Sequence, residues 1–236
     1  GSEITTTGLT GPVTPDGILR IQGETGDVLA CLTEEAQWQR EPGQLVLGVK
    51  KSTIARQEYS FSFLLTNPND GQDSPVVNIS SSGVIILPTA VWSAPGNEAP
   101  LLVASFLVKN ASQSHPGQDV DNTLTLWLST NIHLYGNCSD LPKLGECASI
   151  VITGLDGATT PSGILTVMST ESKLGTSGTW TRTSGSLVAP VTADLIKREL
   201  LQVKFQLHNP KMFQPAQNVK VQLLGSITSR TYPLDK

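Results

Sequence analysis

One thirteen-residue motif occurs twice in the chain, and this duplication constrains the fold more than any other feature of the sequence. Residues 7–19 read TGLTGPVTPDGIL, and residues 153–165 read TGLDGATTPSGIL. Nine positions are identical in the two copies: Thr7/Thr153, Gly8/Gly154, Leu9/Leu155, Gly11/Gly157, Thr14/Thr160, Pro15/Pro161, Gly17/Gly163, Ile18/Ile164 and Leu19/Leu165. Glycine permits positive φ, proline fixes φ, and branched apolar residues suit a pleated strand. The motif therefore predicts a strand–turn–strand unit, and nothing that the two copies share is chemically reactive.

The similarity continues after the motif. Trp38 corresponds to Trp180, and residues 63–68, FLLTNP, correspond to residues 205–210, FQLHNP. The copies are 146 residues apart at the motif and 142 residues apart at these later positions. Solenoid repeats have periods of about 20–50 residues, so a period of this length indicates a whole domain that is repeated.

The chain is therefore predicted to contain two related modules, residues 1–98 and residues 99–236, joined by a proline-rich linker within 87–100. Each module is long enough to bury a core of its own. The run at 33–36, TEEA, predicts a single helical turn. Elsewhere short alternating runs predict strands, and the clearest in the first module places four side chains on one core-facing side: Tyr59, Phe61, Phe63 and Leu65.

The two modules differ in the number of predicted strands. Residues 99–236 contain seven or eight, the number expected of an antiparallel β-sandwich, whereas residues 1–98 contain only the later five or six. The counterparts of the predicted strands at 101–108 and 123–128 are missing before Ile4. Because an incomplete sandwich exposes sheet edge and core, three explanations remain open. The chain is a fragment, another molecule donates a strand, or the linker supplies the edge strand.

The cysteines and the glycosylation sequons indicate a secretory environment. Cys138 and Cys147 lie close together between two predicted strands and are expected to form a disulfide, with two reduced thiols in a cytosolic protein as the alternative. Cys31 is left over, either as a buried thiol or as the partner of a cysteine outside this chain. The sequons, which predict N-linked glycans, begin at Asn78, Asn110 and Asn137. We therefore expect an extracellular or cell-surface location.

Composition and motif content argue against several classes of function. The formal net charge of −4 disfavours nucleic acid and anionic membrane surfaces as partners. The longest apolar run, residues 84–87, is far too short to cross a bilayer, so no membrane insertion is expected. Walker A, Rossmann, HExxH, GxSxG and paired zinc-cysteine patterns do not occur, which predicts that the protein is not an enzyme and holds no cofactor. The histidines fall in separate contexts and are expected on the surface: His115, His133 and His208.

Two further features have alternative interpretations. Trp38 and Trp180 occupy equivalent positions, which favours core packing, whereas exposed rings would form a stacking platform for a sugar. The acidic clusters at 69–73 and 119–122 offer oxygen ligands for calcium, but neither has EF-hand spacing, and ordinary turn chemistry explains both. No metal site is therefore expected.

Four sequence blocks carry a resemblance to a known type of module: residues 122–131, NTLTLWLSTN, residues 152–161, ITGLDGATTP, residues 180–188, WTRTSGSLV, and residues 205–210, FQLHNP. Together they resemble a tandem module of very large secreted or surface proteins of algae and other protists, of the mastigoneme or surface-fibre type. The resemblance covers nearly all of 99–236 and the later part of the same unit in 1–98. It implies an immunoglobulin-like sandwich used as an extracellular building block, and it brings no catalytic residues.

The sequence as a whole predicts an all-β chain of two tandem immunoglobulin-like antiparallel β-sandwich modules, the first of which lacks its two N-terminal strands. We expect an extracellular structural protein, a glycosylated building block of a surface fibre or filament. Its expected partners are copies of itself or other surface proteins, joined by β-strand complementation of the first module. A carbohydrate-binding or cell-adhesion module is the alternative.

Overall fold

The computed structural model describes residues 1–24, 28–83, 86–91, 99–136, 148–225 and 232–234. The chain divides into two compact units, Gly1–Val103 and Ala104–Lys236. In the part of the chain that is described, no helix has the length and apolar character needed to cross a membrane. One predicted glycan site and the predicted disulfide lie outside the described residues: Asn137, Cys138 and Cys147.

The first unit consists mainly of strands. They are β1 (Glu3–Thr7), β2 (Gly17–Arg20), β3 (Gln22–Gly23), β4 (Leu32–Gln39), β5 (Gln44–Val49), β6 (Phe61–Ser62), β7 (Asn78–Ser81) and β8 (Ile86–Ala90). A four-residue helix, α1 (Val28–Cys31), precedes β4. Six strands form an antiparallel sheet in the order β2-β4-β5-β1-β7-β8, and β3 pairs with β6 in a second sheet.

The second unit repeats this arrangement and adds two strands at its beginning. Its strands are β9 (Phe106–Gln113), β10 (Asp121–Thr130), β11 (Ser149–Thr153), β12 (Gly163–Ser169), β13 (Ser177–Thr181), β14 (Ser186–Pro190), β15 (Leu201–His208), β16 (Lys220–Leu224) and β17 (Tyr232–Pro233). Their order is β17-β16-β11-β14-β13-β12-β15-β10-β9. The first half of β12 pairs with β13 and its second half pairs with β15, so β12 links the two layers of the sandwich.

Both units use the same strand pairing, which confirms that a domain is duplicated. Gly17 lies opposite Trp38 in the β2–β4 pair, and Gly163 lies opposite Trp180 in the β12–β13 pair. The β1–β7 and β11–β16 pairs also share their register. These are the registers that the two sequence offsets predict.

Among its described residues, the first unit has no counterparts of the two strands with which the second unit begins. In the second unit, β15 pairs along its length with β10, and β10 pairs with β9. Strand β6 is the counterpart of β15, and among the described residues it pairs with β3 alone. The structure therefore confirms the predicted all-β class with an incomplete first sandwich.

The core of the first unit is correspondingly less covered. The inward side chains of β15 are 0%, 1% and 4% exposed for Val203, Phe205 and Leu207. Their counterparts pack against the core cluster of the first unit but are only half-buried: Phe61, Phe63 and Leu65. The predicted core-facing side is correct, and the difference in burial follows from the absence of strands equivalent to β10 and β9.

One local prediction is wrong. Residues 33–36, predicted as a helical turn, lie within β4, and the helical turn is α1, directly before them. Ala36 is 2% exposed and lies opposite Leu47 of β5. Because a four-residue run has little helix stability of its own, pairing with β5 and burial of Ala36 decide its conformation.

The structure extends the first unit beyond the predicted linker. Residues 101–103, which the sequence analysis placed in the second module, belong to the first compact unit. Val103 forms an antiparallel bridge with Gln72, and the following strand, predicted at 101–108, begins at Phe106. Backbone hydrogen bonding, which proline spacing does not reveal, sets this boundary.

The duplicated motif needs glycine because its turn lies directly against a neighbouring segment of backbone. Gly8 has a φ of +84° and Gly154 a φ of +77°. A Cβ atom at Gly8 would meet the carbonyl oxygen of Val76, and one at Gly154 would meet the carbonyl oxygen of Asn218. Glycine thus satisfies both the backbone conformation and the available space.

Candidate functional site

Both equivalent tryptophans belong to the cores of their units. Trp38 and Trp180 are each 1% exposed. The indole nitrogen of Trp38 donates to the carbonyl oxygen of Thr14 at 3.1 Å, and that of Trp180 donates to Thr160 at 3.0 Å. A buried ring offers no face to a ligand, so the interpretation of these residues as a sugar-stacking platform is wrong.

The threonine of the motif joins the turn to two other elements. The hydroxyl of Thr14 accepts a hydrogen bond from the backbone N–H of Thr66 at 2.8 Å, while its carbonyl accepts from the tryptophan. Thr160 does the same in the second unit, where its hydroxyl accepts from the backbone N–H of His208 at 2.7 Å. The retained motif is therefore an internal anchor of the fold.

The two described sequons differ in accessibility. Asn110 is exposed and lies on β9, the last strand of its sheet among the described residues. Asn78 is half-buried and lies between Thr7 of β1 and Ala90 of β8. Glycosylation at either position stays a prediction, and the geometry offers more room at Asn110.

Cys31 is a free thiol at the end of α1. It is half-buried, and its Sγ lies 3.9 Å from the carbonyl oxygen of Ser52. Both interpretations of Cys31, a buried thiol and the partner of a cysteine outside this chain, stay predictions.

The acidic cluster before β10 forms an ion-pair site with His208. His208 Nδ1 lies 2.8 Å from the Oδ1 atom of Asp121, and Nε2 lies 3.3 Å from the Oδ1 atom of Asp119. The hydrogen bonds to Asp121 and then Asp119 raise the pKa of His208 above its ordinary value. No group of three or more His, Cys, Asp or Glu side chains in the described part of the chain is placed to hold a metal ion.

The candidate functional site is the open edge of the first unit, defined here as residues 59–65 on the side of β6 away from β3. Among the residues that the structure describes, no strand pairs with β6 on this side. The rings of Phe61 and Phe63 lie 6.5 Å apart between centroids and are half-buried. Leu64, on the opposite face, is 84% exposed. The site thus combines a strand edge with which no described strand pairs and apolar side chains that are only half-buried.

The second unit shows what such an edge can receive. Leu124 of β10 lies opposite Phe205, and Leu126, two residues further on, is 1% exposed. The repeat offset makes Phe63 the counterpart of Phe205. A strand with the alternation of β10 would therefore satisfy the backbone of the open edge and bury its aromatic rings.

The sequence analysis missed a pair of glutamines that the structure brings to equivalent places. The side-chain amide of Gln72 donates to the carbonyl oxygen of Thr10 at 3.3 Å. That of Gln214 donates to the carbonyl oxygen of Asp156 at 3.1 Å. The signal was present in the sequence, since the two glutamines are separated by the same 142-residue offset as the later blocks.

Comparisons with known proteins leave the family open. No protein-family model matches the sequence, and no curated protein matches it. Two structures of BcpA, the major pilin subunit of Bacillus cereus, align with a TM-score of 0.37 and 7% identity over 99% of this chain and 69% of theirs. The collagen adhesin (CNA) from S. aureus aligns with a TM-score of 0.30 and 9% identity over 98% of this chain and 79% of that one. At these values the alignments carry no argument about function, and the all-β assignment rests on the strand pairing described above.

Proposed function

We propose that this chain is an extracellular structural building block of a surface fibre or filament, and that a β-strand from a neighbouring molecule completes its first unit. The observation that carries the proposal is the open edge. The same fold position is covered by β10 and β9 in the second unit and has no strand in the first, within the described residues.

The physical argument is that an incomplete sandwich gains from strand addition. Phe61 and Phe63 are half-buried, whereas Phe205 is 1% exposed in the completed unit. Burial of apolar area contributes roughly 25 cal/mol per Å², and each new ladder hydrogen bond adds about 1 kcal/mol. An added strand recovers both contributions, so joining molecules by this edge is favourable.

The same logic explains the proposed glycan at Asn110. A long exposed edge strand invites uncontrolled pairing with other chains. Asn110 is exposed on β9, and a glycan there would block that edge while the open edge of the first unit stays available. We include Asn78 and Asn137 as further glycan sites and Cys138–Cys147 as a disulfide, in keeping with an extracellular location.

The resemblance to surface-fibre modules of algae and other protists supports the same proposal. A structural role also fits the absence of catalytic motifs from the sequence, and we propose no enzymatic activity. The carbohydrate-binding alternative depended on exposed tryptophan rings, and both rings are buried.

Strand addition is tested with a synthetic peptide of residues 121–130, DNTLTLWLST, added to the full chain. The control peptide carries serine at the positions of Leu124 and Leu126. We expect the first peptide to bind, to protect the backbone amides of 59–65 from hydrogen exchange and to suppress self-association of the chain. The control peptide should do none of these.

A different result would remove the proposal. If the chain without peptide is a monodisperse monomer that unfolds cooperatively, and if the amides of 59–65 are already protected, the edge is closed within the molecule. Electron microscopy of the native material adds an independent test, since free particles without filaments would contradict a fibre subunit.

A further inference from the structure

The second unit contains a groove of about 460 Å³ beside the segment that connects β15 to β16. Its floor includes Leu155 and Leu207, which are 7% and 4% exposed. Its rim carries Met212 and Phe213, which are 79% and 84% exposed, followed by Gln214. Large apolar side chains with this exposure, gathered at the mouth of a groove, mark a surface for interaction.

The equivalent position of the first unit shows an occupant. The carbonyl oxygen of Leu101 accepts a hydrogen bond from the side-chain amide of Gln72 at 2.7 Å. The backbones of Gln72 and Val103 form two hydrogen bonds, of 3.1 and 3.0 Å, in an antiparallel bridge. Ser74 Oγ donates to the carbonyl oxygen of Pro100 at 2.7 Å. The segment 100–103, which reads PLLV, is therefore held against the first unit in a turn, in which Leu101 has a φ of +58° and the N–H of Leu102 donates to the carbonyl oxygen of Ala99 at 3.2 Å.

The side chain of Leu101 adds an apolar contact to these hydrogen bonds. It packs against the core cluster of the first unit, which includes Leu9 and Val77. The repeat offsets make Leu155 and Val219 the counterparts of these two residues, and both line the groove of the second unit. The cluster against which Leu101 packs in one unit thus includes the counterparts of two residues that line the groove in the other.

The side-chain contacts of the two glutamines show that these places in the two units correspond. The amide of Gln72 binds the carbonyl of Thr10, and the amide of Gln214 binds the carbonyl of Asp156, the residue equivalent to Thr10. A Cβ atom on Gly11 would meet the side-chain amide of Gln72, and the same contact exists between Gly157 and Gln214. The side chains of the two glutamines therefore hold equivalent places, and in the first unit the backbone edge of Gln72 pairs with Val103.

In the second unit this backbone edge has no partner among the described residues. The backbone N–H and carbonyl of Gln214 make no hydrogen bond there, whereas those of Gln72 bond to Val103. The groove therefore presents counterparts of the groups that hold PLLV in the first unit. They are the backbone N–H and carbonyl of Gln214, its side-chain amide and the apolar lining residues.

We infer that the groove of the second unit binds a peptide segment of another polypeptide chain, with a proline followed by aliphatic residues, in the turn conformation that PLLV adopts in the first unit. The segment adds as an antiparallel bridge to Gln214, and its first leucine fills the space above Leu155. Met212 and Phe213 stand where the first unit has Asp70 and Gly71, so they supply apolar contact that the first unit lacks. Ala216 stands in place of Ser74, so the hydrogen bond to the proline carbonyl is absent.

The inference concerns a different unit and a different peptide from the proposed strand addition. The probe is a fluorescent peptide of residues 98–104, EAPLLVA, titrated into the full chain. The control peptide has aspartate at the positions of Leu101 and Val103. We expect saturable binding of the first peptide, with NMR shifts confined to the groove, and no binding of the control.

Variants locate the site. Phe213→Ser and Gln214→Ala each remove a contact that contributes about 1 kcal/mol, so each should weaken binding by roughly fivefold or more. Ile164→Ser, which changes a side chain 71% exposed on β12 and outside the groove, should leave binding unchanged. All three positions lie near the surface, and a thermal melt checks that each variant is folded.

Three outcomes would overturn the inference. The first is the absence of binding at millimolar peptide, and the second is binding that Phe213→Ser and Gln214→Ala leave unaltered. The third is a set of NMR shifts that map to the open edge of the first unit. The peptide of residues 121–130 is tested in parallel, so failure of one idea does not imply failure of the other.

Discussion

Trp180 donates its indole N–H to the carbonyl oxygen of Thr160 at 3.0 Å, and this bond ties the motif turn to β13 beneath a fully buried ring. The bond between Trp38 and Thr14 repeats it in the first unit. Substituting Trp180→Phe leaves an apolar ring but removes the donor and part of the volume. We expect a loss of about 2–4 kcal/mol in the free energy of unfolding of the second unit, measured by urea denaturation.

The matched change Thr160→Val tests the other bond of the same turn. It removes the hydroxyl that accepts from the N–H of His208 and keeps the carbonyl that serves Trp180. A smaller loss of about 1 kcal/mol is expected. Equal losses for the two variants would show that the indole hydrogen bond contributes no more to the free energy of unfolding than the hydroxyl hydrogen bond does.

Glycine substitutions separate backbone strain from steric contact. Gly154→Ala places a Cβ against the carbonyl oxygen of Asn218 at a positive φ, whereas Gly163→Ala, also at a positive φ, meets nothing within 4 Å. Both variants carry a strain cost of about 1–3 kcal/mol. Gly154→Ala should therefore unfold at a clearly lower urea concentration, and indistinguishable midpoints would contradict the close approach seen here.

The two equivalent phenylalanines measure how complete each sandwich is. Phe205→Ala empties a fully buried site and should cost about 3–5 kcal/mol, whereas Phe63→Ala acts on a half-buried ring and should cost about 1–2 kcal/mol. Hydrogen exchange resolves the stability of each unit separately. A cost for Phe63→Ala as large as that for Phe205→Ala in the chain without added peptide would mean that the open edge is already covered.

The ion-pair site predicts a stabilisation of the second unit that depends on pH. Because Asp121 and Asp119 raise the folded-state pKa of His208, its contribution is fully present below the ordinary histidine pKa of about 6.5 and is lost as the pH rises through the raised pKa. NMR titration should show the raised pKa. Asp121→Asn should lower it more than Asp119→Asn, and an order reversed in experiment would contradict the shorter Asp121 contact.

The disulfide prediction has a direct chemical test. A peptide map of the secreted chain without reduction should contain Cys138 linked to Cys147, and reduction should cost about 2–3 kcal/mol, as expected for a short closed loop. Cys31 should react with a thiol reagent in the folded chain, but more slowly than a fully exposed thiol, because it is half-buried. A disulfide that includes Cys31 would refute the assignment.

Because the sequence is duplicated, most of the fold could be predicted from it. The two copies of the motif, the equivalent tryptophans and the repeated FxLxNP block predicted paired units, and the strand registers at Trp38 and Trp180 agree with the sequence offsets. The difference in strand number between the two units was also predictable, because β10 has a clear alternating pattern and no described strand of the first unit corresponds to it. Burial of the tryptophans was the favoured interpretation but not a certain one, since an amphipathic ring suits both a core and a binding face.

Predictions from local sequence pattern were wrong where a tertiary contact determined the conformation. Residues 33–36 read as a helical turn, yet pairing with β5 made them a strand. The end of the first unit depends on the bridge between Gln72 and Val103, residues 31 positions apart that no periodicity connects. The pairing of His208 with Asp121 joins residues 87 positions apart and was equally beyond the sequence.

The sequence by itself determined that this chain is all-β and carries one strand arrangement twice, because repeated turn residues and alternating apolar residues are local properties of the chain. Tertiary structure alone decided which surfaces are left unsatisfied. Whether an edge or a groove lacks a partner depends on which distant segments come to lie beside it. The segment PLLV shows this most clearly, since the sequence divides it between the linker and a predicted strand of the second module, whereas the fold holds it against the first unit.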